Sequence, residues 1–196
     1  MTLRHCSIKW WWTKLASPAT SAMLCRIGAL PVEIKGVSDL DGGIDGLILP
    51  GGESTAQGRL LRESGLFDRL KVMIEQGLPV YGTCAGMILL AKEIENDDRR
   101  HFAVMDITVR RNAYGRQLGS FMAYGMFAGR GPIPMPFIRA PQISRAGTGV
   151  EVLSEENGAA TAARQSNMLV TAFHPEVTDD PTVHLYFLEM VRRYAD

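Results

Sequence analysis

Two apolar runs in this chain each end in a glycine-containing turn that leads into a second apolar pattern. Residues 44–52 (IDGLILPGG) close with Pro-Gly-Gly, and residues 79–83 (PVYGT) lead into Cys84, Ala85 and Gly86. Nearly continuous apolar runs are typical of parallel strands that are buried on both faces. Apolar residues recur every three or four positions after the first run, as in an amphipathic helix. This alternation predicts an α/β fold around a mostly parallel sheet.

The remaining elements are predicted from the same patterns. The first helix is expected from Ser54 to about Gln76, with an interruption near Gly65 and a stop at Gly77. Residues 122–136, rich in Gly, Pro and Met, are predicted to be a loop. Helices are predicted at residues 85–94 (AGMILLAKEI) and 180–195, the latter capped by Asp180. Short strands are predicted at residues 30–36, 106–115, 136–141, 149–154, 159–165 and 167–176.

Composition excludes several classes of protein. The 196 residues are 46% hydrophobic, which suits one domain with a proper core. Lys plus Arg and Asp plus Glu both number 21, which argues against a nucleic-acid-binding surface. No apolar run is long enough to predict a membrane span. Three cysteines without a CxxC pair, and histidines without ligand spacing, predict no disulfide framework, no metal site and a cytoplasmic location.

Cys84 lies between two glycines at the point where a strand is predicted to become a helix. The spacing Gly-x-Cys-x-Gly follows the logic of the Gly-x-Ser-x-Gly nucleophile elbow, in which a sharp turn exposes the side chain. A thiol at a helix N-terminus also gains from the helix dipole, which favours the thiolate. A cysteine packed in the core is the alternative. The pentapeptide alone leaves both interpretations open.

His174 and Glu176 offer the base that a cysteine nucleophile needs. They stand in AFHPEV, directly after an apolar strand, and alternate residues of an extended chain point the same way. A carboxylate beside an imidazole holds its tautomer and stabilises the imidazolium. Alone, His-Pro-Glu is more often a polar loop. Together with the turn at Cys84, it predicts a Cys84–His174–Glu176 triad built from two strand ends.

Residues 49–55 (LPGGEST) are the third candidate piece of a site. One interpretation is a Gly-Gly turn before a helix whose N-cap is Ser54 or the threonine after it. The other is a backbone donor for a developing oxyanion. Under the second interpretation, the amides of Gly52 and Ala85 stabilise the oxyanion. Glu53 and Ser54 then contact the charged end of an amino-acid substrate.

Two arginines, Arg111 in RRNAYGRQ and Arg139 in FIRAP, are candidates to pair with a substrate carboxylate, although arginines at strand ends are more often solvated. With these pieces in order, the chain resembles the class I (triad-type) glutamine amidotransferases, which share Gly-x-Cys-x-Gly followed by His-Pro-Glu. More narrowly, PGGEST, GTCAGMILLA, RRNAYGRQ, FIRAP and FHPEVTDD resemble the glutaminase subunits of pyridoxal 5'-phosphate synthase, from about Arg26 to the C-terminus.

The resemblance implies a three-layer α/β sandwich that hydrolyses L-glutamine to glutamate and ammonia without a metal or organic cofactor. It implies that ammonia passes through a tunnel to a synthase subunit, a (β/α)8 barrel, which makes pyridoxal 5'-phosphate and whose docking activates the glutaminase. It assigns the nucleophile to Cys84, the general base to His174 and the orienting carboxylate to Glu176. The positions it assigns to glutamine binding are Gly52, Glu53, Ser54, Arg111, Ile138 and Arg139.

Residues 1–24 depart from the family pattern, so we divide the chain into an atypical segment, 1–24, and an amidotransferase domain, 25–196. Family members open with a strand, a Leu-Gln-Gly loop and a helix, whereas this segment has no Gln. An altered reading frame or incorrect start in the gene model is one explanation. It is favoured because losing an inner strand exposes backbone and apolar surface. The other is a variant whose first strand is missing or altered; finding the peptide WWWTK in the native protein would support it.

Two further positions depart from the family pattern, and two alternatives to the glutaminase function remain. Gly119 and Met122 stand where family members commonly carry acids, so contacts with the synthase are expected to differ. The absent Gln-containing loop leaves a second function open, a glutaminase-like subunit that binds the synthase but turns over poorly. The intact triad residues oppose it. A peptidase or chaperone with a similar cysteine turn is disfavoured by PGGEST together with FHPE.

Overall fold

The computed structural model describes residues 7–11, 17–113 and 119–195 of the chain. Its helices are α1 (Ser17–Arg26), α2 (Ser54–Glu63), α3 (Leu66–Glu75), α4 (Ala85–Leu90) and α5 (Thr182–Ala195). The strands of the first half are β1 (Ser7–Trp11), β2 (Leu30–Ile34), β3 (Gly46–Leu49), β4 (Val80–Thr83), β5 (Ala91–Ile94) and β6 (Met105–Arg110). Those of the second half are β7 (Ser120–Met126), β8 (Pro132–Ile138), β9 (Gln142–Ala146), β10 (Glu151–Glu156), β11 (Ala159–Gln165) and β12 (Met168–Thr171).

One large sheet organises the described residues. Its strand order is β2-β1-β3-β4-β12-β11-β9-β6-β5, and β10 pairs with β11 outside this path. The first five strands in this order, β2, β1, β3, β4 and β12, run parallel to one another. The sixth, β11, runs antiparallel to β12. Every residue of β3, β4 and β12 is buried, as expected of strands covered on both faces. The predicted mostly parallel α/β sheet is confirmed.

Helices cover both faces of this sheet and give it three layers. Tyr81 and Gly82 are consecutive in β4, so they face opposite sides of the sheet. The ring of Tyr81 packs against Phe187 of α5, with ring centroids 5.7 Å apart. On the other side, Gly82 lies against the backbone of Gly86 in α4. No helix among the described residues is long and apolar enough to cross a membrane.

β1 occupies an inner position of the sheet, between β2 and β3 and parallel to both. Ile8 pairs with Pro31 on one side and Gly46 on the other, and its side chain is fully buried. Of the two possibilities left open, a missing or an altered first strand, the structure shows a strand of altered sequence, SIKWW. β1 lies within the atypical segment and α1 crosses its boundary, so the division after residue 24 stays a prediction about sequence similarity.

Two helix predictions are confirmed in detail. The long pattern after β3 is interrupted at Gly65, whose φ of 73° separates α2 from α3. The C-terminal helix begins at Thr182, whose backbone N–H donates to the carboxylate of Asp180 at 2.8 Å. Arg192 and Arg193 lie in its last turn, where they complement the negative end of the helix dipole.

The predicted loop at residues 122–136 is wrong, because most of it forms the antiparallel hairpin of β7 and β8. Pro132, Pro134 and Pro136 occupy alternate positions of β8. Their backbone groups point away from β7, so the missing N–H groups remove no hydrogen bond from the ladder. The outward carbonyl of Pro136 instead accepts a hydrogen bond from the backbone N–H of His174 at 2.9 Å.

The predicted helix at residues 85–94 is also wrong in its second half. The helix ends at Leu90, Ala91 is extended with φ −59° and ψ 137°, and β5 follows and pairs with β6. A short apolar run has the same sequence pattern in a buried helix and in a buried strand. The pairing with β6 therefore determines where the helix gives way to a strand. The prediction for residues 106–115 is confirmed up to Arg110, and residues 114 and 115 lie outside the described residues.

Candidate active site

Three loops meet at one edge of the sheet because β3, β4 and β12 are adjacent and parallel. The loop after β3 carries Gly51 and Gly52, Cys84 follows β4, and His174 follows β12. The crevice beyond the carboxyl ends of parallel strands is where open α/β sheets bind ligands. Here it is a pocket of about 380 Å³ lined by Gly52, Glu53, Ser54, Cys84, Ile88, Arg111, Asn112, Ile138, Arg139, Pro141 and His174.

Cys84 occupies the sharp turn that its sequence context predicts. Its backbone has φ 50° and ψ −98°, a conformation that L-residues rarely adopt, and α4 begins at the next residue. The N–H of Cys84 donates to the carbonyl of Thr171 at 2.8 Å, which ties the turn to β12. Strain of this kind persists where the surrounding structure enforces it, as at nucleophile turns. The side chain lines the pocket, so the interpretation as an inert core cysteine is not favoured.

The glycines around Cys84 are required by close packing. A Cβ on Gly86 would lie 2.0 Å from the carbonyl oxygen of Leu49, and one on Gly82 would lie 2.6 Å from the backbone of Gly86. In the neighbouring loop, a Cβ on Gly51 would lie 2.3 Å from the ring of His174. These three positions let α4, β3 and the imidazole approach one another. None of the three has a positive φ, so close contacts rather than backbone angles require glycine at these positions.

His174 and Glu176 form the predicted pair. Nδ1 of His174 lies 2.8 Å from Oε1 of Glu176, and their side chains are 12% and 5% exposed. The explanation expected from sequence for their proximity, alternation along an extended strand, is wrong. Pro175–Val177 is instead a 3-10 turn, which brings the carboxylate back towards the ring. Glu176 does not line the pocket. It lies behind the imidazole of His174, which does.

The pKa of His174 is strongly raised. Burial lowers it, but hydrogen bonds to Cys84 and Glu176 and the charges of both outweigh burial and raise the pKa from 6.5 to about 10. The imidazole can therefore hold, at neutral pH, the proton that Cys84 must lose to become a nucleophile. Protonation of His174 stabilises the fold fully below pH 6.5, and this contribution is lost as the pH rises towards 10.

We expect Glu176→Gln to shift the titration of His174 towards its ordinary pKa of 6.5, because the substitution removes one of the charges that stabilise the imidazolium. The ¹⁵N chemical shifts of the His174 ring, followed by NMR from neutral to alkaline pH, measure this directly. Glu155→Gln, a substitution of a glutamate in β10, is the matched control and should leave the titration unchanged. An unchanged His174 titration in Glu176→Gln would contradict the assigned role of the carboxylate.

The loop after β3 is fixed by hydrogen bonds with α2, the helix that follows it. The N-cap of α2 is Glu53 rather than Ser54 or Thr55, and its carboxylate accepts hydrogen bonds from the N–H groups of Thr55 at 2.9 Å and Ala56 at 2.7 Å. Gln57 donates to the carbonyls of Pro50 and Gly51, which fixes the Pro-Gly-Gly turn. Ser54 lines the pocket, and its hydroxyl is buried without a hydrogen-bond partner among the described residues.

The predicted arginines also line the pocket. Arg111 donates to Glu53 at 3.0 Å and lies 3.5 Å from Asp97. Arg139 has a left-handed backbone with φ 48°, its N–H donates to the carbonyl of Gly119 at 2.6 Å, and its side chain is exposed. Ile138, 40% exposed, lies beside it. The structure thus brings Arg111, Ile138 and Arg139 to the pocket, as the family resemblance implies.

Three residues that line the pocket were missed from sequence. Ile88 lies one helical turn after Cys84, so the i, i+4 spacing on α4 could have indicated it. Asn112 adjoins Arg111, and Pro141 follows Arg139 by two positions, but neither carries a pattern of its own. Ala85, the other predicted oxyanion donor, follows Cys84 as the first residue of α4 and is buried without lining the pocket.

The fold is that of the glutamine amidotransferases. A crystal structure described as a glutamine amidotransferase superposes with a TM-score of 0.87 at 39% identity and covers 94% of this chain and 98% of its own. The crystal structure of a glutamine amidotransferase from Thermotoga maritima shares the fold, with a TM-score of 0.61 at 11% identity, covering 98% of this chain and 86% of its own.

The chain belongs to the SNO glutamine amidotransferase family, whose family model matches residues 19–193. It is 56% identical to the pyridoxal 5'-phosphate synthase subunit PdxT of Methanocorpusculum labreanum, over 86% of this chain and 89% of that protein. It is 49% identical to the subunit of the same name from Streptococcus pneumoniae, over 87% of this chain and 90% of that protein. The family membership disfavours the peptidase and chaperone alternatives.

Proposed function

We propose that this chain is the glutaminase subunit of a pyridoxal 5'-phosphate synthase, which hydrolyses L-glutamine and supplies ammonia for vitamin B6 biosynthesis. The observation that carries the proposal is the His174–Glu176 pair hydrogen-bonded beside Cys84 in a pocket with charged groups on its walls. The name of the curated relatives, at 49% and 56% identity, supports it. The assembled triad favours turnover over the alternative of a subunit that only binds.

Glutamine fits the pocket as a zwitterion. Its α-carboxylate pairs with Arg111 and its α-ammonium with Glu53, two side chains that form an ion pair with each other at 3.0 Å. The unpartnered hydroxyl of Ser54 is available to the same end of the substrate. Gly52, Ile138 and Arg139 complete the binding surface. The side-chain amide of glutamine then points towards Cys84.

The reaction proceeds by covalent catalysis at Cys84. His174 takes the proton of the thiol, and the thiolate attacks the amide carbon. His174 returns the proton to the leaving nitrogen, ammonia departs, and a γ-glutamyl thioester remains on Cys84. The thioester no longer carries the thiolate charge that raises the pKa of His174, so the imidazole can now take a proton from water. Hydrolysis releases glutamate without a metal or organic cofactor.

Backbone amides stabilise the oxyanion of both steps. Ala85 is the first residue of α4, so its N–H lacks the partner that a residue inside a helix has. Gly52 lines the pocket and has φ 137°, a backbone angle that favours glycine. The two N–H groups are the donors that we assign to the oxyanion.

The partner that we propose is a synthase subunit with a (β/α)8-barrel fold, which receives ammonia in the cytoplasm through a tunnel and activates the glutaminase. The relatives are named as subunits of a synthase, which supports a heteromeric complex. Met122 is 52% exposed on β7 and Gly119 precedes that strand. Since family members commonly carry acids at these positions, this part of the contact with the partner is expected to be less charged.

Glutamate release from L-glutamine by the purified chain, with and without an added synthase subunit, tests the proposal. We expect release that requires both the synthase and Cys84, and none from Cys84→Ala. A folded chain that binds the synthase but releases no glutamate in either condition would support the binding-only alternative. Release that persists in Cys84→Ala would contradict the assignment of the nucleophile.

A further inference from the structure

Beside the pocket, five residues form a closed ring of hydrogen bonds and ion pairs, which we call the charged ring: Glu53, Arg111, Asp97, Arg99 and Thr55. Arg111 donates through Nη2 to Glu53 at 3.0 Å and lies with Nη1 3.5 Å from Asp97. Arg99 donates to both oxygens of Asp97, at 2.6 to 3.0 Å, and through Nη1 to the hydroxyl of Thr55 at 2.8 Å. The N–H of Thr55 donates to Glu53 and closes the ring.

Charges alternate around this ring, and Asp97 is its most buried carboxylate. The side chain of Asp97 is 13% exposed, whereas that of Glu53 is 56% exposed. Hydrogen bonds from Arg99, together with the positive charges of Arg99 and Arg111, hold the pKa of Asp97 well below its usual range. Asp97 is therefore a fixed anion that stands behind the guanidinium of Arg111.

One contact of the charged ring, the ion pair between Glu53 and Arg111, can be replaced by contacts with a substrate. Glu53 is held by the backbone N–H groups of Thr55 and Ala56, so its carboxylate stays in place without Arg111. Arg111 is shared between two carboxylates, one on the pocket wall and one behind it. An amino-acid zwitterion can therefore replace the Glu53–Arg111 pair with two new pairs, while the contact with Asp97 keeps the guanidinium in place.

We propose that Asp97, held by Arg99, is a positioning residue for substrate binding: it orients Arg111 through Nη1 so that Nη2 can leave Glu53 and bind the α-carboxylate of glutamine. This inference rests on the proposed function and adds a determinant that does not line the pocket. Without the anion behind it, the guanidinium has Glu53 as its remaining carboxylate partner in the ring. The substrate must then compete with a stronger internal ion pair for both of its charged groups.

Steady-state glutamate release by the complex with the synthase, using Asp97→Asn, tests the proposal. We expect KM for L-glutamine to rise roughly three- to tenfold, the size of effect of a hydrogen bond to a charged group at a partly exposed site, with kcat within about twofold of the wild type. Asp98→Asn is the matched control, because Asp98 is exposed and outside the ring, and it should leave both constants unchanged. A wild-type KM in Asp97→Asn would overturn the proposal.

Two covalent labels separate positioning from general damage to the site. A chloroketone analogue of glutamine carries both α-substituents and should label Cys84 more slowly in Asp97→Asn when it is below saturation. Iodoacetamide carries neither, so its rate of alkylation at Cys84 should not change. Equal slowing of both reagents would show that the substitution perturbs the triad and would overturn the proposed role.

A double-mutant cycle provides a readout that a purely structural role would not move. If Asp97 acts through Arg111, Asp97→Asn should have little further effect on KM in an Arg111→Ala background. Additive effects would overturn the proposal. The proposed function fails separately, if the wild-type complex releases no glutamate or releases it without Cys84.

Discussion

Replacing Cys84 with alanine is expected to abolish glutamate release, with a loss of about 10,000-fold or more, as when the nucleophile of a triad enzyme is removed. The physical reason is that no other group in the pocket can form the thioester, and the aligned His174 has nothing to deprotonate. Release is measured in the presence of the synthase, on protein whose circular dichroism matches the wild type. Cys25→Ala is the matched control, because Cys25 is an exposed cysteine in α1.

The same position should reveal the strain stored at the nucleophile. Cys84 has φ 50° and ψ −98°, which alanine must also adopt but glycine adopts with little strain. We expect Cys84→Gly to be inactive and yet about 1 kcal/mol more stable to unfolding than Cys84→Ala. Urea denaturation of the two inactive variants measures the difference. Equal stabilities, or a less stable glycine variant, would contradict a strained turn.

Substituting Gly86 with alanine is expected to destabilise the fold severely. The new Cβ would lie 2.0 Å from the carbonyl oxygen of Leu49, where neither backbone can yield without separating α4 from β3. Overpacking in a well-packed core costs about 1 to 3 kcal/mol and occasionally more, and here the obstacle is backbone rather than a flexible side chain. Chemical denaturation of Gly86→Ala measures the loss of stability. The surviving folded protein should also lose activity, because Cys84 immediately precedes this helix.

Gly36→Ala provides the matched control for that clash. Gly36 has a negative φ of −154°, and a Cβ there would meet nothing within 4 Å. We expect wild-type stability, within about 0.5 kcal/mol, because the site lacks any of the features that make substitutions costly. If Gly86→Ala were tolerated equally well, the close approach of α4 to β3 would not hold in solution.

The proposed triad could be predicted from sequence because each member stands just after a buried strand. Cys84 lies in a glycine-flanked turn, and His174 and Glu176 follow an apolar run, so local pattern and chemistry agree. What no local pattern contains is that β12 lies beside β4, and this adjacency alone brings His174 to Cys84.

The features that sequence could not supply depend on contacts between distant segments. The prolines of β8 look like loop residues, and only their alternate, outward-facing positions in the hairpin explain why a strand tolerates them. The end of α4 at Leu90 depends on pairing with β6, since the run of apolar residues continues without a break. The charged ring joins residues as far apart in sequence as 53 and 111. Charged residues in loops follow no periodic pattern, so the sequence does not predict the ring.

The central claim is that Cys84 forms a γ-glutamyl thioester with the help of His174. Rapid acid quenching of the complex with the synthase during turnover of L-glutamine, followed by peptide mass spectrometry, tests it most directly. We predict a glutamyl adduct on the peptide that contains Cys84, removable by mild hydroxylamine. Turnover without an adduct at Cys84 under these conditions, or with an adduct at another residue, would contradict the account.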